Sequence, residues 1–162
     1  MTPEQFQIQL KNLSKRVQTF LKDDAPQYAA NSAIEHFKDN FMKEGFFGTR
    51  WKNVKRREDP KNFKTITRGI NKGTVRAINN AGKAKILTGT SNLKNSIHYR
   101  TEPGAAIVYS DTEYGKAHNE GLKAGRGKGF IMPKRQFIGN HPTLTKAIRE
   151  ELEKRVKQVF GS

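Results

Sequence analysis

The sequence predicts an α+β fold in which an N-terminal helical hairpin and a C-terminal helix pack on a small antiparallel sheet, with a long basic loop inserted in the chain. Three observations carry this expectation. Apolar residues recur at three- and four-residue steps near both ends, alternate at two-residue steps in one central segment, and lose periodicity across a stretch rich in lysine and arginine.

Phe6, Leu10, Leu13, Val17 and Phe20 form one stripe of an amphipathic helix from about Glu4 to Leu21. Asp23-Asp24-Ala25-Pro26 is expected to end that helix and start another, because carboxylates cap free amides and proline suits a first turn. The second helix carries Ala30, Ala33, Ile34, Phe37 and Phe41 and stops before Gly45. Two helices joined so closely are expected to pack as a hairpin or at a steep angle. From Gly45 to Lys85 the chain reads as a solvated, partly mobile excursion, with a helical piece around Ile66 to Ile78. In ILTGTSNLKNSI, residues 86–97, the hydroxyls of Thr88 to Ser91 offer N-caps and Gly89 a sharp lead-in to a short helix that buries Leu93 and Ile97. HYRTEPGAAIVYS then alternates as two strands around a Glu102-Pro103-Gly104 turn. Thr112 to Glu120 suits a short helix or an extended edge, Gly121 to Gly129 a flexible glycine loop, and Pro133 to Gly139 an extended return. Leu144, Ile148, Leu152, Val156 and Val159 mark the terminal helix, with Pro142 in its first turn.

One core is what 162 residues most readily close, so a single domain over 1–162 is expected. Cysteine is absent, which removes disulfides and thiolate metal sites and fits a reducing, intracellular compartment. The opening MTPEQFQIQLKNLSKR has no basic segment followed by an apolar run, and no apolar stretch approaches the ~20 residues that span a bilayer, so no membrane partner is expected. The net charge of +16 is concentrated. Residues 50–85 carry twelve basic against two acidic groups and residues 121–135 five against none, whereas the remaining segments are nearly balanced. Two surfaces therefore face something acidic or repel one another before assembly. The candidates for facing DNA or the lumen of an assembly are Arg50, Lys52, Lys55, Arg56, Arg57, Lys61, Lys64, Arg68, Lys72, Arg76, Lys123, Arg126 and Lys128.

Chemistry finds little support. His36, His98, His118 and His141 form no pair that could place two imidazoles on one helical face, so no metal and no cofactor are expected. His118-Asn119-Glu120 invites a nuclease reading, but a phosphodiester site also needs metal ligands or a second base; a polar loop anchoring its own backbone is the favoured interpretation. Ser91, Ser96 and Ser110 lack a nucleophile-elbow context, and the glycines of 121–129 match no phosphate-binding spacing. Phe46, Phe47, Trp51 and Phe63 interleave with basic residues in the manner of single-strand binding surfaces, although anchoring of the long loop to the core accounts for them more simply.

Four ordered stretches carry a resemblance. They are Gly48-Thr49-Arg50-Trp51; residues 86–97 with Leu87, Thr88, Gly89, Leu93, Ser96 and Ile97; Tyr114 to Gly121 with Ala117 and His118; and Pro133-Lys134-Arg135-Gln136-Phe137-Ile138-Gly139. The second resembles the pattern I-L-x-x-T-G-x-L-x-x-S-I, shortened between Leu87 and Gly89; the last resembles R-P-F-(I/L)-G, with Gln136 in place of proline. On these residues the chain resembles the phage virion morphogenesis family, tail-completion proteins of the Mu G type. Each motif also reads as architecture without the family, Tyr114, Ala117 and His118 packing at helical spacing beside the sheet. The resemblance implies a non-enzymatic structural protein of a phage or prophage, acting in tail completion or head-tail joining, in the host cytoplasm during assembly and then in the virion. Its implied partners are further copies of itself in a ring or other homo-oligomer, and tail tube, tail terminator or connector proteins. The basic segments add non-specific contact with phage DNA, and the alternative function is that of a non-specific nucleic-acid binding protein.

Overall fold

A computed structural model describes residues 1–78 and 85–160. The fold is α+β, with long helices at both ends and short antiparallel strand pairs between them. The chain divides into two compact units, one of Met1–Phe37, Ile97–Tyr109 and Ile138–Ser162, the other of Lys38–Ser96 and Ser110–Phe137. Part of the 50–85 segment, residues 79–84, lies outside the described residues.

In the first unit, α1 (Pro3–Thr19) starts at a capping box. The Thr2 hydroxyl accepts from the Gln5 amide, the Gln5 side chain accepts from the Thr2 amide, and Pro3 occupies the first turn, where its missing donor costs nothing. The expected hairpin between the first two helices is not formed. Phe20–Asp24 is a π turn, the backbone on both sides keeps right-handed helical angles, and the chain continues directly into α2 (Ala25–Lys43). The reason lies in Pro26. Its nitrogen cannot donate to the Lys22 carbonyl four residues back, which would normally disrupt the helix. Here the ladder widens, Ala25 donating to Phe20 five residues back, and the Lys22 carbonyl accepts instead from the Gly104 amide at 3.0 Å.

Gly104 belongs to the turn between β1 (Ile97–Glu102) and β2 (Ala105–Ser110), which form the hairpin expected from sequence. Pro103-Gly104 makes the turn, with Gly104 at φ 77° where a side chain would be strained. The terminal helix is α3 (Pro142–Phe160), also as expected. Its last residue stands edge-on to Phe20 at 5.9 Å, and the Arg155 guanidinium lies 4.5 Å over the Tyr28 ring while pairing with Glu151 at 2.7 Å. Phe20, Ala25, Pro26, Ala30, Ala33, Phe37, Ile97 and Leu144 are buried in this unit. Among the described residues no helix is long and apolar enough to cross a membrane.

The second unit contains the end of α2, two four-residue helices (α4, Lys55–Glu58, and α5, Asn92–Asn95) and one longer helix (α6, Glu113–Glu120). Its described residues also form three short hairpins: β3 (Gly45–Phe46) with β4 (Thr49–Arg50), β5 (Phe63–Thr65) with β6 (Val75–Ala77), and β7 (Lys123–Ala124) with β8 (Phe130–Ile131). Among the described residues the small sheet of the sequence reading is four separate strand pairs.

Candidate assembly interface

The second unit is organised around a cluster that the resembled motifs build together. Phe41 and Phe137 are fully enclosed, their ring centroids 5.1 Å apart, and Trp51 meets Phe41 edge-on at 5.6 Å. The Trp51 indole N–H donates to the Gln136 backbone carbonyl at 2.7 Å, a contact that does not depend on the side chain at 136 and so survives glutamine in place of proline. The backbone of Phe137 is fastened at both ends: its N–H donates to Asn119 Oδ1 (2.9 Å) and its carbonyl accepts from Asn40 Nδ2 (3.2 Å). Asn40 Oδ1 in turn accepts from the Phe47 amide. Arg135, charged yet buried, directs its guanidinium at the Lys52 and Asn53 carbonyls (3.1–3.2 Å), while its own amide donates to the His118 carbonyl at 2.7 Å. Buried polar groups need partners. Here the partners are backbone atoms of loops, so these side chains act as struts.

From this cluster the basic segment departs. Phe47 and Gly48, at φ 45° and 96°, form the tight β3–β4 turn, with Arg50 at the far end of β4. Gly45 is needed because a Cβ there would stand 2.6 Å from the Thr49 carbonyl. The two roots of the excursion then meet at one carboxylate. Glu44 accepts two hydrogen bonds from Arg57 (2.9 and 2.7 Å) and a third from the Ile86 amide (2.6 Å). The Lys85 ammonium donates to the Met42 carbonyl, and Arg56 to the Lys85 carbonyl. Arg57 holds the Glu44 carboxyl below its ordinary value, against the opposing effect of burial. Arg57, expected to face DNA, is therefore part of this neck.

Beyond the neck, the helix expected around 66–78 is replaced by the β5–β6 hairpin. Its register sets Phe63 opposite Ala77, Lys64 opposite Arg76 and Thr65 opposite Val75. Lys61 lies in the 3-10 turn Pro60–Asn62, which the Asp59 side chain caps. Arg68 and Lys72 sit in the connection between the strands, with Gly69 and Gly73 at positive φ. Gly121–Gly129, expected as a loop, supplies most of the β7–β8 hairpin, with Lys123 on β7 and Arg126 and Lys128 at the tip. Lys52, Lys55, Lys61, Lys64, Arg68, Lys72, Arg76, Lys123, Arg126 and Lys128 are all exposed. Lys64 and Arg76 are like charges directly across a strand pair, which disfavours the hairpin unless an anion lies between them.

The other motif residues divide. Leu93 and Ile97 are buried as expected, Ile97 as the first residue of β1. Ser96 is buried too, its hydroxyl donating to the Leu93 carbonyl and lying 2.7 Å from Ser110 Oγ, which is 3.0 Å from Thr112 Oγ1. Gly115 is required beside this hydroxyl chain, since a Cβ would approach Ser110 Oγ to 2.7 Å. The expected hydroxyl cap is not made: Thr88 bonds the Lys85 carbonyl and Ser91 caps nothing. Nor does Gly89 make the bend, which falls on Leu87 and Ser91 at φ 61° and 60°. Tyr114 is exposed and touches His118 edge-on at 6.0 Å, whereas Ala117 and His118 are half-buried. The Ala117 carbonyl accepts from Gly121 and Leu122 at the end of α6, where Gly121 takes φ 75°. Pro133 lies in the stretch after β8 that forms no regular element; Ile138 and Gly139 belong to the first unit, lining a recess with Ala33 and Leu144.

His118 has no convergent chemistry around it. Its Nδ1 is buried without a hydrogen-bond partner among the described residues, Asn119 is engaged with Phe137, Glu120 is exposed, and no three His, Cys, Asp or Glu residues cluster as a metal site among the described residues. Burial, and secondarily the charge of Arg135, push the imidazole below its ordinary pKa. A base depressed in the folded state gives stability that is complete above its unfolded value, about 6.5, and is lost as pH falls from there through the folded value. The expected result is a Tm that begins to fall below about pH 6.5, with that part of the slope absent in His118→Gln; calorimetry across pH checks it.

These features define a strongly basic α+β protein whose motif residues tie loop backbone together at the base of its cationic segments. Residues 48–157 match the phage virion morphogenesis family, and the chain belongs to that family. Searches of curated proteins and of solved structures give no match. Membership assigns the chain to virion morphogenesis.

Proposed function

We propose that the protein is a non-catalytic structural component acting in tail completion or head-tail joining, as a homo-oligomer in contact with tail tube, tail terminator or connector proteins. The observation that carries this reading is the disposition of the motif residues. Trp51, Asn119, Arg135 and Phe137 face one another or loop backbone, leaving the outward surface to basic hairpins and apolar helix faces. Such a protein works by contact in the host cytoplasm and stays in the particle. Deleting its reading frame from the phage is expected to abolish infectivity while heads and tails still form and accumulate unjoined or with defective ends. Electron microscopy of the lysate checks this, and normal joined particles would refute it.

The cross-strand pair Lys64 and Arg76 favours a second contribution, contact with the phosphates of DNA. The purified protein is expected to bind duplex DNA weakly and without sequence preference, its affinity falling about 10³–10⁵-fold between roughly 50 and 200 mM salt if about 6–10 phosphates are engaged. Lys64→Ala and Arg76→Ala should each lower the slope of log K against log salt by about one. A tight, sequence-selective footprint at moderate salt would instead make nucleic-acid binding the primary function.

A further inference from the structure

The register of the β5–β6 hairpin places Ile70 at the midpoint of the connecting turn, six residues from each member of the Lys64–Arg76 pair. Ile70 is 104% exposed, the highest value among the large apolar side chains of the described residues. A single exposed isoleucine is ordinary on a surface. This one is fixed at an apex. It is the second residue of a turn closed by the Lys72 amide donating to the Gly69 carbonyl at 3.0 Å. A second turn follows, with Gly73 at φ 89°, closed by the Thr74 amide and hydroxyl, which both donate to the Asn71 carbonyl (3.1 and 2.7 Å). Beneath them the Gly73 amide donates to the Ile66 carbonyl and the Ile66 amide to the Thr74 carbonyl (2.8 and 2.9 Å). Arg68 and Lys72, both exposed, stand two residues to either side of Ile70. The apex is therefore one apolar side chain, held by a hydrogen-bonded frame, between two cations and ahead of two more.

We infer that this hairpin is an arm that enters a groove of duplex DNA and wedges Ile70 between adjacent base pairs, while Arg68, Lys72, Lys64 and Arg76 meet the flanking phosphates. Proteins that open a base step combine these two ingredients, cations for the backbone and an apolar side chain for the gap. An anionic bilayer is the other surface that accepts an apolar tip with cationic shoulders. The placement of charge along the arm favours DNA. Lys64 and Arg76 are set back from the apex by the extended strand residues and the turn, about 10 Å at roughly 3.3 Å per residue. On a flat headgroup plane touched by the apex they would lie beyond the Debye length, about 8 Å at physiological salt, and contribute little. Along a groove, phosphates follow the arm and all four cations find one. A bilayer anchor also needs more apolar surface than this apex has, since Gly69 and Asn71 beside Ile70 add none. A wedge responds to how easily a step deforms and not to base edges, which agrees with binding without sequence preference. The inference rests on the DNA-contact reading and gives that contact a mode.

Fluorescence anisotropy with two duplexes, one intact and one carrying a central mismatch, tests the wedge, because a step already unstacked costs less to open. The full chain is expected to bind the mismatched duplex about tenfold or more tighter, the gain from removing an isoleucine side chain from water. A fluorescent adenine analogue beside the mismatch should brighten as it unstacks. Ile70→Ala is expected to lose both the preference and the brightening, with Tm and the salt slope unchanged, because Ile70 is fully exposed and uncharged. Ile70→Leu should keep them. Equal affinity for the two duplexes, or a preference that persists in Ile70→Ala, overturns the wedge and leaves the phosphate contacts standing. Binding to phosphatidylglycerol vesicles that depends on Ile70, with no preference between the duplexes, would overturn it in favour of a lipid surface. Failure to bind either duplex at about 50 mM salt would sink the DNA-contact reading and the wedge together.

Discussion

Phe137→Ala is expected to lower the stability of the second unit by about 3–5 kcal/mol, toward the upper end of that range. Phe137 is 1% exposed and meets Phe41, which itself supports Trp51. The cost of such a truncation depends on how far the surroundings collapse into the void. Here they cannot follow easily, because Asn119 and Asn40 hold the amide and the carbonyl of residue 137 from opposite sides. At roughly 2–4 °C per kcal/mol for a chain of this size, Tm should fall by about 6–20 °C. Phe137→Leu, which keeps most of the volume, should lose less than half as much. Thermal denaturation followed by tryptophan fluorescence is a suitable measurement, since Trp51 is the chain's single tryptophan and lies in the affected cluster. Equal losses in the two variants would show that the cavity is not the cause.

Glu44→Gln is expected to cost about 2–3 kcal/mol at neutral pH. Glutamine presents one acceptor where three donors converge, and its amide would face the Arg57 guanidinium. The carboxylate and guanidinium are only 25% and 20% exposed, so solvent screens the pair incompletely. The pH dependence separates this loss from a packing defect. Because the folded Glu44 carboxyl titrates below its ordinary value, its contribution is complete above the unfolded value, about 4.3, and disappears as pH falls through the folded one. Wild type and variant should therefore differ in Tm at pH 7 and converge in acid, in a window lower than that of His118. Trypsin should also cut within residues 52–78 faster in the variant, since the neck that restrains the segment is broken. Unchanged cleavage would mean that the hairpin holds itself.

The elements legible in the sequence were those whose partners lie nearby or whose apolar residues keep one period. The stripes of α1, α2 and α3, the Pro103-Gly104 hairpin and the burial of Leu93 and Ile97 are of this kind. The continuity of α1 into α2 was not, because the amide that serves the Lys22 carbonyl comes from Gly104, remote in sequence. The β5–β6 hairpin was hidden for a different reason. Each strand is only three residues long, so the face shared by Phe63, Thr65, Val75 and Ala77 is split between two segments nine residues apart and shows no period in the sequence. Within the site, Trp51, Arg135 and Phe137 stood out by their motifs, whereas Glu44 and Asn40 carried no signal beyond position near a helix end. Arg57 is indistinguishable in sequence from its exposed neighbours until Glu44 is placed beside it.

The clasp at Glu44 makes the segment beyond it an interchangeable cassette. Once Arg57 and Ile86 are fastened to the same carboxylate, changing the length of chain between them alters the closure entropy only slowly, by about 0.6 kcal/mol for each doubling. Evolution or an engineer can lengthen, shorten or recharge that tip to suit a different surface, and the tryptophan cluster beneath need not change.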